Sequence, residues 1–135
     1  MREGLQTSRL FCAAALLLAA YAAASCGGGM SESEQAAAEM TGGGSPARGR
    51  EAIEHYGCAT CHTIPGVRGA DALVGPPLTQ VASRSYIGGV LTNSPENMIR
   101  WIQDPRAVDP LTAMPALGVS GQDARDIASY LYTLK

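Results

Sequence analysis

Cys58-Ala59-Thr60-Cys61-His62 is the stretch of this chain best equipped to do chemistry. It reads C-x-x-C-H, the attachment signature of a c-type haem. Two thiols can add across the two vinyl groups of one porphyrin. Cysteines three apart on a helical turn lie on one face, so both can reach the same edge of a macrocycle. The next residue then sits under the iron, where a neutral imidazole can bind as the proximal ligand. Zinc is a weaker reading, because it takes about four ligands. The other cysteines, Cys12 and Cys26, lie far upstream, and His55 is the only other histidine. A thioredoxin-like redox pair would need a βαβ pattern around it, and no strand-rich stretch precedes Cys58.

A haem iron has a second axial position, and the methionines are the candidates for it. Met114 stands in Thr112-Ala113-Met114-Pro115, 52 residues after His62, on a proline-flanked loop. A loop methionine held by proline suits a fixed thioether, a soft ligand that raises the potential of haem iron. Met98 competes, but it has apolar neighbours at helical spacing and reads as packing. His55, three residues before Cys58, is placed on a helix facing away from the distal side and reads as solvated. Met30 and Met40 fall in a segment with no apolar periodicity, which removes them as ligands.

The elements that must position these groups occupy the second two-thirds of the chain. The whole has 135 residues. Residues 1–25 read as a signal peptide: two arginines, then Leu10 to Ala24, fifteen residues of mostly Ala and Leu, which is shorter than the roughly 20 a spanning helix needs. Ala23-Ala24-Ser25-Cys26 resembles the cleavage box of bacterial lipoproteins, in which the cysteine is lipidated and becomes the first mature residue. Ordinary cleavage near Ala24 or Ser25 would instead leave Cys26 a free thiol. Residues 26–44 carry two triple-glycine runs around an acidic, Ala-rich stretch and read as a flexible tether. The folded domain is then 45–135.

That domain is near the size at which a core alone is marginal, and a buried haem would add the missing apolar bulk. Without residues 1–25 the chain holds 8 basic and 11 acidic residues, a net charge of −3. No basic patch points to nucleic acid. The elements read as all-α. Ser45 caps a first helix with Pro46 at its first position, running to about Tyr56. Gly57 breaks it. Thr63 to Pro77 is a Gly/Pro-rich loop. Ser94-Pro95-Glu96 opens a second helix with Met98, Ile99, Trp101 and Ile102 on its apolar face, and Asp104-Pro105 ends it. Ala107 to Gly118 is an extended loop. Ser120 caps a last helix, Gln122 to about Leu134, with Ile127, Leu131 and Leu134 in period.

Taken together, 45–135 resembles a class I cytochrome c, a small all-α fold around one haem. Several separated features stand in that family's order: Cys58-Ala59-Thr60-Cys61-His62, Gly75-Pro76-Pro77-Leu78, Trp101 before Asp104-Pro105, Met114-Pro115, and a C-terminal helix with Tyr130-Leu131. The resemblance implies that the Pro76 carbonyl accepts a hydrogen bond from the proximal imidazole of His62. It implies that the first and last helices cross at Gly49 against Ile127 and Tyr130, with Ile53 where an aromatic is usual. It puts the ring of Trp101 near the Met114 sulfur, and Arg84 and Tyr86 within reach of the haem propionates. It further implies a one-electron carrier, closed by His62 and Met114, with redox proteins as donor and acceptor. The segments around Gly75 and from Trp101 to Pro115 are similar to bacterial cytochromes c that accompany terminal oxidases, which implies a respiratory chain and the periplasmic face of the cytoplasmic membrane. Mitochondrial-type relatives ring the haem edge with lysines, whereas this chain has one lysine, Lys135. The second function class is a catalytic or gas-sensing haem protein with an open sixth site.

Overall fold

A computed structural model describes residues 29–135. The expected signal peptide and Cys26 lie outside the described residues. Among the described residues, five helices account for most of the order: α1 (Glu32–Met40), α2 (Pro46–His55), α3 (Pro95–Gln103), α4 (Pro105–Val108) and α5 (Gly121–Tyr132). Short 3₁₀ turns cover Cys58–Thr60 and Val81–Ser83.

The helix boundaries follow local chemistry. The hydroxyls of Ser45, Ser94 and Ser120 accept from the backbone N–H three residues on, at Arg48, Asn97 and Asp123, and so cap α2, α3 and α5. Pro46 and Pro95 occupy first helical positions, where no donor is lost. Gly57 adopts a left-handed φ of 73° and stops α2 directly before Cys58. On α2 the buried residues are Pro46, Gly49, Ala52 and Ile53; on α3 they are Met98, Trp101 and Ile102. On α5, Ala124, Ile127, Ala128 and Leu131 recur at helical spacing and form the other wall of the core.

The core is organised by the crossing of α2 and α5, with α3 packed on α5 from another side. At that crossing the helices touch backbone to backbone. A Cβ on Gly49 would stand 2.0 Å from the Asp126 carbonyl oxygen, a distance no side chain tolerates. Ile53 and Ile127 are buried beside it, so the crossing forms without an aromatic at position 53.

Three features depart from the sequence expectation. Segment 26–44 does not read correctly as a tether throughout: α1 forms within it and packs along α5. Ser31 and Glu34 make a reciprocal capping box there. Ala37 and Thr41 are buried, and a Cβ on Gly44 would lie 2.6 Å from the Arg125 carbonyl oxygen. The apolar face is one alanine wide, too narrow to register as periodicity. A two-stranded antiparallel hairpin, β1 (Tyr86–Ile87) and β2 (Leu91–Thr92), pairs Tyr86 with Thr92 and Ile87 with Leu91. It is too short to disturb the helical class. Finally, the extended loop expected from Ala107 begins as α4, because the Asp104 carboxylate accepts from Ala107 N–H at 3.0 Å and restarts the helix.

One buried carboxylate ties the N-terminal junction to α5. Asp126 accepts from Ser45 N–H at 2.7 Å, Arg48 Nε at 2.8 Å and Nη2 at 3.0 Å, and Gln122 Nε2 at 3.0 Å. Burial on its own would raise its pKa. The hydrogen bonds from Arg48, Ser45 and Gln122 and the Arg48 charge outweigh burial and hold it below its ordinary value. A depressed native pKa contributes stability that is present above the unfolded value of about 3.9 and is lost as pH falls through the native value. Asp126→Asn is therefore expected to cost about 1–3 kcal/mol at pH 7 and to flatten the acid limb of a stability–pH curve below about pH 4. An acid limb unchanged in the variant would remove Asp126 from that role.

Candidate functional site

The Cys58–Thr60 turn and Cys61, which caps its C-terminal end, place both thiols at the wall of a cavity of about 620 Å³. Neither thiol is in a disulfide, and burial pushes the Cys58 thiol pKa up. His62 follows on the same wall. The backbone of this segment is fixed by Cys61 and His62 N–H donating to the Cys58 carbonyl, at 3.2 and 3.1 Å.

A second loop then orients the imidazole. Gly75 N–H donates to the Cys61 carbonyl at 2.7 Å, and Leu78 N–H to the Thr63 carbonyl at 2.8 Å. Between these two bonds, the Pro76 carbonyl lies 2.8 Å from His62 Nδ1. A carbonyl only accepts, so Nδ1 carries the proton and Nε2 keeps its lone pair. Such a bond also raises the basicity of the ring. Gly75 is required here by contact: a Cβ would fall 2.5 Å from His62 Cε1. Arg84 donates to the Pro77 and Thr79 carbonyls and pins the far side of the same loop.

The cavity floor is apolar. Ile53 of α2, Met98, Trp101 and Ile102 of α3, and Ile127 and Leu131 of α5 all line it. Trp101 is packed against the hairpin turn, where a Cβ on Gly88 would lie 2.5 Å from its ring. Met114 enters from the 109–119 loop, half-buried, with its N–H donating to Thr112 Oγ1 at 3.2 Å and Pro115 beside it. The structure thus brings Cys58, Cys61, His62, Pro76, Trp101 and Met114 to one cavity. Arg84 and Tyr86 are at its rim. His55 is exposed on α2, edge-on to Tyr56, and does not reach it.

Two contributors escaped the sequence reading. Tyr56 lines the cavity, and its hydroxyl donates to Asp123 at 2.7 Å, joining the end of α2 to the start of α5. That bond, with a second from Ser120, holds the Asp123 carboxyl below its ordinary value. Asn93 donates to the Val81 and Arg84 carbonyls and accepts from Tyr132, whose pKa burial pushes up to about 12. No motif marks either residue; each is found only through its partners.

The residues fit a haem. Two thiols at one turn, an imidazole with its outer nitrogen already occupied, a thioether on a second loop and an apolar floor are the donor set and walls such a group needs. Among the described residues no cluster of three or more His, Cys, Asp or Glu side chains could hold a separate metal ion. Residues 46–135 match the family Cytochrome c. The chain belongs to the cytochrome c family. Its cofactor is the covalently bound c-type haem of that family. Relatives include cytochrome c oxidase subunit 2 of Alkalihalophilus pseudofirmus, 35% identical over 89 residues, covering 65% of this chain and 25% of that protein. Cytochrome c oxidase subunit 2 of Bacillus sp. (strain PS3) is 29% identical over 93 residues, covering 66% of this chain and 26% of that protein. The chain spans about a quarter of the length of these relatives. No solved structure matches it. Helix α1 lies before the segment that matches the cytochrome c family.

Proposed function

We propose that this cytochrome is a one-electron carrier with His62 and Met114 as the two axial ligands, working in a bacterial respiratory chain beside a terminal oxidase. One observation carries the reading: an imidazole with its Nδ1 committed to Pro76 and a thioether on a separate loop line the same apolar cavity. The haem supplies a reversible Fe(III)/Fe(II) couple. Cys58 and Cys61 hold it through thioethers. The Pro76 carbonyl keeps His62 in one tautomer and one orientation, so Nε2 would be presented to the iron with little freedom to turn. Ile53, Ile102, Ile127 and Leu131 keep water from the site, which limits reorganisation when charge changes. Pro115 and the Thr112 hydroxyl fix the backbone of Met114. With His62 and Met114 as its ligands, the iron would keep no position open to a substrate.

The oxidase setting is supported by the names of the relatives, both subunits of cytochrome c oxidase. The carrier would then sit on the periplasmic face of the cytoplasmic membrane, with a lipid on Cys26. Mass analysis of the mature N-terminal peptide checks the anchor: a diacylglyceryl Cys26 is expected, and an unmodified N-terminus removes the lipid while leaving export intact.

The function itself is tested on the purified holoprotein. Haem is expected to stay on the chain after acid–acetone extraction. The iron is expected to be low-spin in both oxidation states, and the ferrous protein to bind carbon monoxide hardly at all. Rapid carbon monoxide binding by the wild type would mean an open sixth site, and a catalytic or sensing role would replace the carrier.

A further inference from the structure

The loop that carries Met114 is held closely at its start and loosely beyond. Asp109 N–H donates to the Pro105 carbonyl at 2.9 Å, and Thr112 N–H to the Asp109 carbonyl at 3.1 Å. The Asp109 carboxylate accepts from Leu111 N–H at 3.0 Å, and Thr112 Oγ1 from Met114 N–H at 3.2 Å. After Met114 this bonding stops. Among the described residues, no backbone N–H from Ala116 to Val119 donates to a backbone or side-chain acceptor. Residues 115–118 are exposed throughout. The freedom of the Met114 side chain therefore depends on the next point at which the chain is fastened.

Tyr56 supplies that point. Ser120 N–H donates to the Tyr56 hydroxyl oxygen at 3.4 Å, and the same hydroxyl donates to Asp123 Oδ2 at 2.7 Å. Ser120 Oγ donates to that carboxylate oxygen at 2.8 Å and accepts from Asp123 N–H at 3.1 Å. The bonds close a ring, and those to the carboxylate are stronger than bonds between neutral groups. Tyr56 is the C-cap of α2, lies two residues before Cys58 and lines the haem cavity. Val119, next to Ser120, is buried and lines it too. One hydroxyl thus ties the exit of the Met114 loop to the segment that carries the first thiol.

We propose that Tyr56 is a positioning residue for Met114: its hydroxyl fastens the far end of the 109–119 loop to the haem-attachment side and so keeps the thioether from leaving the iron. This role rests on the ligand assignment under Proposed function and deepens it. A ligand carried on a loop divides its time between bound and released forms. An outside ligand enters only the released form, so its binding rate reads that population. Without the hydroxyl, Ser120 N–H loses its acceptor and Asp123 a donor, and the exposed 115–118 segment is fastened only beyond Ser120. More release follows if Tyr56 acts through Met114. Lower stability with an unchanged released population follows if Tyr56 merely joins α2 to α5.

The experiment compares Tyr56→Phe, Tyr130→Phe and the wild type as full-length holoproteins. Phenylalanine keeps the ring at position 56 and removes only the hydroxyl. Tyr130→Phe is the control: it deletes a hydroxyl that donates to the Pro65 carbonyl at 2.6 Å, on a residue that does not line the cavity. In Tyr56→Phe, carbon monoxide binding by the ferrous protein is expected to quicken roughly tenfold, the order that loss of one hydrogen bond to a charged group corresponds to. The ferric sulfur-to-iron band should weaken and should melt below the temperature of global unfolding. Amide exchange from Ala116 to Ser120 should quicken, with Ile127 to Leu131 as in the wild type. Tyr130→Phe should lower the thermal midpoint and move none of these. Adding Tyr56→Phe to Met114→Ala, which has no thioether to release, should leave carbon monoxide binding unchanged. A Tyr56→Phe protein with a lower midpoint but the wild-type binding rate overturns the positioning role. So does an equal acceleration in Tyr130→Phe, or an acceleration that persists in the Met114→Ala background. All three of those results leave the ligand assignment standing. Rapid carbon monoxide binding by the wild type overturns the assignment itself, and the positioning role with it.

Discussion

Met114→Ala is expected to convert a closed haem site into an open one. The thioether is the soft axial ligand proposed on the 109–119 loop, and alanine offers no replacement. His55 is exposed on α2 and does not line the cavity, and Met98 lies in the cavity floor as a buried packing residue of α3. The reduction potential should therefore fall, since a thioether favours the ferrous state. Carbon monoxide should bind the reduced variant within mixing time, and a ferric sulfur-to-iron charge-transfer band present in the wild type should vanish. Met98→Ala is the control. It removes a buried side chain and should cost about 2–5 kcal/mol, with the axial spectrum intact. If Met98→Ala opened the site and Met114→Ala did not, the ligand assignment would be reversed.

A second large effect is expected at Gly49, where no cofactor chemistry is involved. The first methyl group added there would meet the Asp126 carbonyl oxygen at 2.0 Å and the Ile127 nitrogen at 3.0 Å. Both are helix backbone, so relief requires α2 and α5 to move apart along the whole crossing. Gly49→Ala gains about 1 kcal/mol of helix propensity, yet it should destabilise by about 1–3 kcal/mol or more through overpacking. Gly49→Val should fail to accumulate as holoprotein. Gly121→Ala is the matched comparison: it opens α5, and the nearest side-chain atom to its new methyl is 3.7 Å away. That variant should be neutral or slightly stabilised. Equal thermal midpoints for Gly49→Ala and Gly121→Ala would show that the crossing is looser than its geometry.

What was legible in the residues, and what was not, divides along physical lines. Motif chemistry reads directly, because a porphyrin dictates the spacing of Cys58, Cys61 and His62, and a proline-held loop marks Met114. Helix starts read well, since Ser45, Ser94 and Ser120 cap by local bonds that need no distant partner. The crossing at Gly49 was legible only through resemblance; nothing local distinguishes it from a weak helix residue. Helix α1 was illegible for the opposite reason. Its sequence is that of a linker, and its order comes from the small surfaces of Ala37, Thr41 and Gly44 fitting α5, 80 or more residues away. The hairpin at Tyr86 was missed because two-residue strands carry no period, and Asn93 because its three partners are brought together only by the tertiary fold.

The docking of α1 on α5 changes how far the domain could roam from a membrane. Nineteen flexible residues from Cys26 to Gly44 would reach about 65 Å when fully extended. With α1 folded onto the domain, only the stretch from Cys26 to Met30 is left to act as a leash, about 17 Å at full stretch. A lipid on Cys26 would then keep the domain in a thin layer beside the bilayer. For a partner within that layer, effective concentration rises as the −3/2 power of linker length, about sevenfold for this shortening. A partner standing farther out would be beyond reach. If Cys26 carries the proposed lipid, the buried face of Ala37 would set a radius of action, with less range and more frequent encounters with whatever stands beside the anchor.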